Sequence, residues 1–167
     1  CGVIAECKRK SPSRGIINEY AQAADVCLEY MQAGASALSV LTDGKYFGGS
    51  KQDLVTARKF NYYPILRKDF IVDEYQVIEA RSIGADAILL IAEVLSPPEL
   101  KNLYGLAREL GMEVLFEIHS PESPDKLPSD AQIVGINNRN LTNFKVDIDK
   151  SLELVSGLPP EVIKIAE

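Results

Sequence analysis

The sequence predicts an α/β fold, a closed barrel of parallel strands and helices, with seven strands legible in this chain. Three observations carry the prediction. Short apolar runs alternate with amphipathic segments, an order that right-handed βαβ crossovers turn into a parallel sheet. The runs are near-continuous, as in strands buried on both faces. Charged or amide residues stand at or just past the C-terminal ends of many runs: Glu6 and Lys8, Asp43, Lys68 and Asp69, Glu117, Asn137 and Arg139, and Glu167. In a closed barrel those ends converge on one mouth, whereas a doubly wound sheet needs such residues only at its switch point.

The first strand is Val3-Ile4-Ala5 running into Glu6-Cys7-Lys8, and the second is Ala37 to Leu41. Between them, Tyr20 to Ala33 places Ala21, Ala24, Cys27, Leu28 and Met31 at spacings of three and four, one face of a helix. Pro64 to Arg67 is the third strand, Asp73 to Ile83 a helix, and Ala87 to Ile91 the fourth strand. Ser96 is placed to cap a helix that Pro97 and Pro98 open, and Gly111 to stop it after Leu110. Glu113 to Ile118, Ile133 to Ile136 and Val162 to Ile165 complete the strands, with a helix from Asp147 to Val155 whose start Asp147 and Asp149 favour. Ser120 to Gln132 carries Pro121, Pro124 and Pro128, so no more than a turn or two of helix is expected there. A repeat runs through the chain. Ala33-Gly34-Ala35 and Ile83-Gly84-Ala85, 50 residues apart, each stop a helix just before a strand, and Ser129-Asp130-Ala131 is a weaker third copy. No linker is visible, and residues 1–167 read as a single barrel domain.

Lys and Arg number 18 against 24 Asp and Glu, a formal charge of −6, with 46% apolar and 25% charged residues. This usage is globular and excludes a disordered tail. The acidic balance speaks against nucleic acid as a partner. No apolar run approaches the roughly 18 residues of a membrane span, so no membrane partner is expected. Cys1, Cys7 and Cys27 lack Cys-x-x-Cys spacing and read as reduced thiols of a cytoplasmic protein. The single histidine, His119, excludes a multi-histidine metal site. No secretory signal is visible, since Glu6, Lys8, Arg9 and Lys10 interrupt the apolar opening. Neither a G-x-G-x-x-G nor a P-loop motif is present, so no dinucleotide or P-loop site is expected. The chain opens at Cys1 without an initiator methionine and stops at Glu167, and it reads as a piece of a longer protein.

Positions i and i+2 of a strand face one side, so Glu6 and Lys8 share a face at the mouth. Alone they would read as an ion pair. They follow a buried run directly, however, and Lys68, Glu117 and Asn137 end other strands at the same level. Charged groups are rarely buried unpaired. In a partly desolvated mouth the lysine pKa is expected to fall and the glutamate pKa to rise, each toward the acid/base range. Two lysines also make an anion-binding cavity. The expectation is an anionic small-molecule substrate and acid/base chemistry, with no metal and no cofactor. Arg9, Lys10 and Arg14 fit a solvated loop as well as an attraction for an anion.

These residues resemble a known family. Ile4-Ala5-Glu6-Cys7-Lys8-Arg9-Lys10-Ser11-Pro12-Ser13-Arg14-Gly15 is similar to the first-strand signature of indole-3-glycerol-phosphate synthase. Ser39-Val40-Leu41-Thr42-Asp43 with Lys45-Tyr46-Phe47, Leu66-Arg67-Lys68-Asp69-Phe70, Gly84 to Ile91, Phe116-Glu117-Ile118-His119 and Gly135-Ile136-Asn137-Asn138-Arg139-Asn140-Leu141 resemble its next five strands, and Ala166-Glu167 the seventh. The match is collinear over the whole chain.

The resemblance implies a TIM barrel and a decarboxylating ring closure in tryptophan biosynthesis, from 1-(2-carboxyphenylamino)-1-deoxyribulose 5-phosphate to indole-3-glycerol phosphate. By resemblance Lys68 is the general acid of ring closure. Lys8 binds the carboxylate and phosphate side and helps in dehydration. Glu6 and Glu117 manage protons, and Asn137 orients the substrate. Arg139 and Glu167 shape the anthranilate end, Ser11 and Pro12 belong to a mobile first loop, and Phe47, Phe70 and Leu89 wall the aromatic ring. The resemblance gives His119 no role, and it reads as an inert loop residue. It also implies an N-terminal helical extension and an eighth βα unit that this chain lacks, and with the latter the loop amides that hold phosphate. Fusion to, or association with, other tryptophan-pathway enzymes is left open. So are a truncated barrel that binds an anion or a partner without turnover, and a related phosphate-binding-barrel isomerase. The Lys8, Lys68 and Glu117 set argues against the isomerase.

Overall fold

The computed structural model describes residues 2–138 and 148–167. The expectations for Arg139, Asn140 and Asp147 lie outside the described residues. After β1 (Ile4–Cys7) the chain makes a small antiparallel hairpin, β2 (Lys10–Ser11) with β3 (Gly15–Ile16). Seven parallel strands then form one sheet in the order β1, β4 (Ala37–Leu41), β5 (Ile65–Lys68), β6 (Ala87–Ile91), β7 (Glu113–Ile118), β8 (Ile133–Ile136) and β9 (Ile163–Ala166). These are the seven predicted strands, and each joins its neighbour through a crossover. The helices are α1 (Ala23–Gln32), α2 (Gly44–Phe47), α3 (Lys51–Phe60), α4 (Glu74–Ser82), α5 (Pro97–Glu109) and α6 (Ile148–Gly157). Between β7 and β8 the proline-rich segment makes only a 3-10 turn, Pro124–Lys126.

The sheet curls. Lys68 at the end of β5 pairs with Glu167 just beyond β9, four places along the strand order. At about 4.8 Å per strand a flat sheet would hold these residues roughly 19 Å apart. The curvature divides the core in two. The convex face carries Leu38, Val40, Ile65, Ile88, Leu90 and Phe116, packed with Leu54, Val77 and Leu100 of the helices. The concave face carries a smaller cluster of Leu66, Leu89, Ile91 and Leu115. Each fully buried side chain of this size contributes about 1.5–3 kcal/mol. Alternation along each strand assigns the faces, and the inner set runs directly into the polar rim: Leu66 to Lys68, Leu115 to Glu117.

The repeat is a repeated helix stop. Gly34 and Gly84 adopt φ of 89° and 97°, a region that L side chains avoid. In each case the next amide reaches back to the helix: Ala35 N–H to Tyr30 O and Ala85 N–H to Ala80 O, both 3.0 Å. The third copy is at Gly111, with φ 72° and Met112 N–H to Ala107 O at 2.9 Å. Ser129-Asp130-Ala131 is not a copy, because no α-helix precedes it. Two features were not in the sequence expectation: the β2–β3 hairpin, and the pair of helices α2 and α3 between β4 and β5.

Candidate active site

The sheet's C-terminal ends gather the predicted side chains into two adjoining groups. At the end of β1, Lys8 Nζ lies 2.5 Å from Glu6 Oε1, and Ser39 Oγ of β4 donates to Glu6 Oε2 at 3.4 Å. Glu6 and Ser39 are register partners, so the contact follows from the pairing of β1 with β4. Both members of the pair are about one-third exposed, at 32% for Lys8 and 29% for Glu6. They stand at the open side of the rim.

The second group is set deeper: Glu117 is buried, and Lys68, Asn137 and Glu167 are partly buried. Lys68 Nζ pairs with Glu167 Oε2 and lies 3.4 Å from Glu117 Oε2. Asn137 Nδ2 donates to Glu117 Oε1 at 3.1 Å. Glu117 and Gly135 are register partners, and a side chain at Gly135 would place its Cβ 2.6 Å from Glu167 Oε1. The glycine leaves the room that Glu167 needs to cross toward Lys68.

The titration behaviour corrects the sequence expectation. Burial pulls the Lys68 ammonium down, but Glu167 and Glu117 outweigh it, and its pKa lies above the ordinary lysine value. Burial pushes Glu117 up, but the His119 hydrogen bond, Lys68 and Asn137 outweigh it and hold the carboxyl at about 2. The rule that a buried lysine falls and a buried glutamate rises fails here because each has found its opposite charge. Glu167 follows it: burial raises its pKa against the pull of Lys68, and ionised Glu117 adds to the rise. The arrangement is an ammonium between a firmly ionised carboxylate and one that takes a proton more readily. It can supply a proton to a substrate oxygen and exchange one with a neighbour.

Around this centre, Phe70 packs edge-on against Tyr46 with ring centroids 6.0 Å apart, and lies 6.3 Å from Phe47. Asp43 caps α2, accepting from Tyr46 N–H at 2.6 Å, which fixes where these rings stand. Leu89 is buried in the inner cluster below. Ser11 and Pro12 lie on the β2–β3 hairpin, where Ser11 Oγ accepts from Arg14 N–H at 3.2 Å. Among the described residues no hydrogen bond or ion pair joins them to the lysine–glutamate group. Arg9 is a structural clamp: it grips Asp53 of α3 through two bonds of 2.7 and 2.8 Å and also binds Ala21 O and Gly48 O. It is not free to attract a ligand. Among the described residues no group of His, Cys, Asp and Glu is arranged to hold a metal ion, and no helix is long and apolar enough to cross a membrane.

Two residues were given no role by the sequence reading, one in the site and one behind it. His119 is not an inert loop residue: its Nε2 lies 2.6 Å from Glu117 Oε1. The i, i+2 rule that paired Glu6 with Lys8 would have found it. Arg67 is 1% exposed on the convex face, bonded to Thr42, Asp69, Gln76 O and Glu79. Its place beside Ile65 and Leu66, on the face that alternation turns away from Lys68, was the available signal.

A family model described as Indole-3-glycerol phosphate synthase matches residues 1–167. Proteins of that name from Bacteroides thetaiotaomicron, Nautilia profundicola and Chromobacterium violaceum are 49%, 48% and 49% identical over 166 residues, 99% of this chain. The chain spans 64%, 64% and 63% of their respective lengths. Among solved structures, KGPDC from Streptococcus mutans superposes with a TM-score of 0.66 over 100% of this chain and 88% of its own, at 11% identity, a likeness of fold alone. With a seven-stranded parallel sheet, a polar C-terminal rim and this match, the chain belongs to the indole-3-glycerol phosphate synthase family.

Proposed function

We propose that the protein carrying this chain converts 1-(2-carboxyphenylamino)-1-deoxyribulose 5-phosphate to indole-3-glycerol phosphate, carbon dioxide and water, as a carboxy-lyase of tryptophan biosynthesis in the cytoplasm. The observation that supports this most is the Lys68 ammonium between Glu117 and Glu167 at the C-terminal rim. Ring closure joins the aryl carbon that bears the carboxylate to the ketone carbon. The ketone oxygen then takes a proton, which Lys68 delivers. The carboxylate leaves as carbon dioxide, and its bonding pair restores the aromatic ring. Loss of water protonates the new hydroxyl and removes a proton from the neighbouring CH2 carbon. Each proton transfer by a positioned group contributes roughly 10² to 10⁴ in rate.

In this reading Lys8 holds the carboxylate and phosphate side and serves the dehydration, with Glu6 and Glu117 moving protons. Asn137 orients the substrate, Arg139 and Glu167 shape the anthranilate end, and Ser11 and Pro12 belong to the first loop. Phe47, Phe70 and Leu89 wall the ring. The substrate is a small anionic phosphate ester, and the residues named do the chemistry without a cofactor. The test is to add the substrate to the complete gene product and follow indole fluorescence and carbon dioxide together. Both are expected in equal amounts. Carbon dioxide without indole, or neither from a folded protein, would contradict the reading.

A further inference from the structure

We propose that His119 is a positioning residue that fixes the Glu117 carboxylate toward Lys68. The proposal rests on the roles given above to Glu117 and Lys68. His119 follows β7 directly and stands two residues beyond Glu117, so strand alternation aims both side chains inward. Its Nε2 lies 2.6 Å from Glu117 Oε1, and Asn137 Nδ2 donates to the same oxygen at 3.1 Å. Glu117 Oε2 is left facing Lys68 Nζ at 3.4 Å. One oxygen is clamped by two donors and the other is presented to the ammonium. Without the clamp, the carboxylate can rotate about its last bond and offer either oxygen at a varying distance.

The backbone that carries the imidazole is itself held. The backbone N–H of His119 donates to Glu93 Oε1 at 2.9 Å, and the Ser123 hydroxyl donates to that same oxygen. The segment after β6 and the turn after β7 thus converge on one carboxylate. The His119 side chain is only 11% exposed. Against an ionised carboxylate its ring nitrogen must donate. Burial pulls the imidazole pKa down, but Glu117, Glu93 and Glu167, which surround it, raise it above the ordinary value. On the far side of Glu117, Lys68 of β5 lies 3.4 Å from the other carboxylate oxygen.

The experiment compares His119→Ala and His119→Gln in the complete gene product, since a group misplaced by about 1 Å can lose about 10²-fold in rate. His119→Ala is expected to lower kcat by about that factor with KM little changed. His119→Gln, which keeps an N–H donor, is expected to restore most of the loss. A second readout needs no turnover. NMR titration of His119 is expected to place its pKa above about 6.5, and Glu117→Gln to bring it down. Unchanged kcat in His119→Ala, a glutamine variant no better than alanine, or a titration that ignores Glu117→Gln would each overturn the proposal. Should the wild-type protein fail to turn over the substrate, the proposed function falls, and the titration alone decides whether the clamp exists.

Discussion

Lys68 and Glu167 are 99 residues apart in the chain and meet only because the sheet curls. That separation explains why the rim's residue types were legible in the sequence and its electrostatics were not. Each polar residue could be placed at a strand end from the run before it, but the direction of its pKa depends on which strand faces it across the barrel. His119 was legible by the same alternation as Glu6 and Lys8, and was discounted because the resemblance gives it no role and it reads as a loop residue. The Glu117–His119 contact has a pH signature whose sign follows from the two shifts. Glu117, lowered to about 2, contributes stability above its unfolded value near 4.5 and loses it as pH falls through about 2. His119, raised above 6.5, contributes fully below 6.5 and loses it as pH rises through the folded value. Urea unfolding of the wild-type protein and of His119→Gln is therefore expected to differ most between about pH 4.5 and 6.5, with the gap closing on both sides. A gap independent of pH would contradict the pairing.

At the scale of elements, the β5–α4 connection carries the site. Arg67 points outward from β5 while Lys68 points inward, and its guanidinium joins Thr42 after β4, Asp69, and Gln76 O and Glu79 of α4. Gln76 closes the same loop, with Nε2 on Phe70 O at 2.9 Å and Oε1 accepting from Val72 N–H at 2.8 Å. Replacing Arg67 with methionine leaves Asp69 and Glu79 without their buried cation. Breaking a buried pair of this kind costs about 3 kcal/mol or more, and urea denaturation is expected to show it. A loss below about 1 kcal/mol, the range of a surface pair, would contradict this.

The helix stops allow a paired comparison. Gly34→Ala meets only the strain of its φ of 89°, since nothing lies within 4 Å of the added Cβ. Gly84→Ala meets a similar strain at φ 97° and a Cβ 2.9 Å from Arg58 Cγ, whose guanidinium holds Gly84 O and Asp86. The first is expected to cost about 1 kcal/mol, and the second more, measured as midpoints in the same denaturant. Equal losses would show that Arg58 moves aside freely. These stops were legible because a glycine before an apolar run has one common use. The helix α3 was not singled out, because Lys51, Gln52, Asp53, Arg58 and Lys59 leave its buried face only Leu54 and Ala57. The β2–β3 hairpin, two residues a strand, is too short to show any period.

Over the whole molecule, the near-continuous apolar runs already implied a sheet covered on both faces. What they could not show was that the inner cover is the sheet itself, four large side chains beneath a charged rim. β1 and β9 end the strand order. Their outer edges offer backbone donors and acceptors that invite pairing. Residues 1–167 expressed alone are expected to self-associate with rising concentration, and light scattering that finds a monomer at all concentrations would contradict an open edge.

The central claim is that Lys68 is the acid that protonates the substrate's ketone oxygen. It is tested most directly by single-turnover kinetics of Lys68→Ala in the complete gene product, with circular dichroism to confirm the fold. The account predicts a folded protein whose ring-closure rate falls by about 10² or more. A folded variant that closes the ring at the wild-type rate would remove Lys68 from the chemistry.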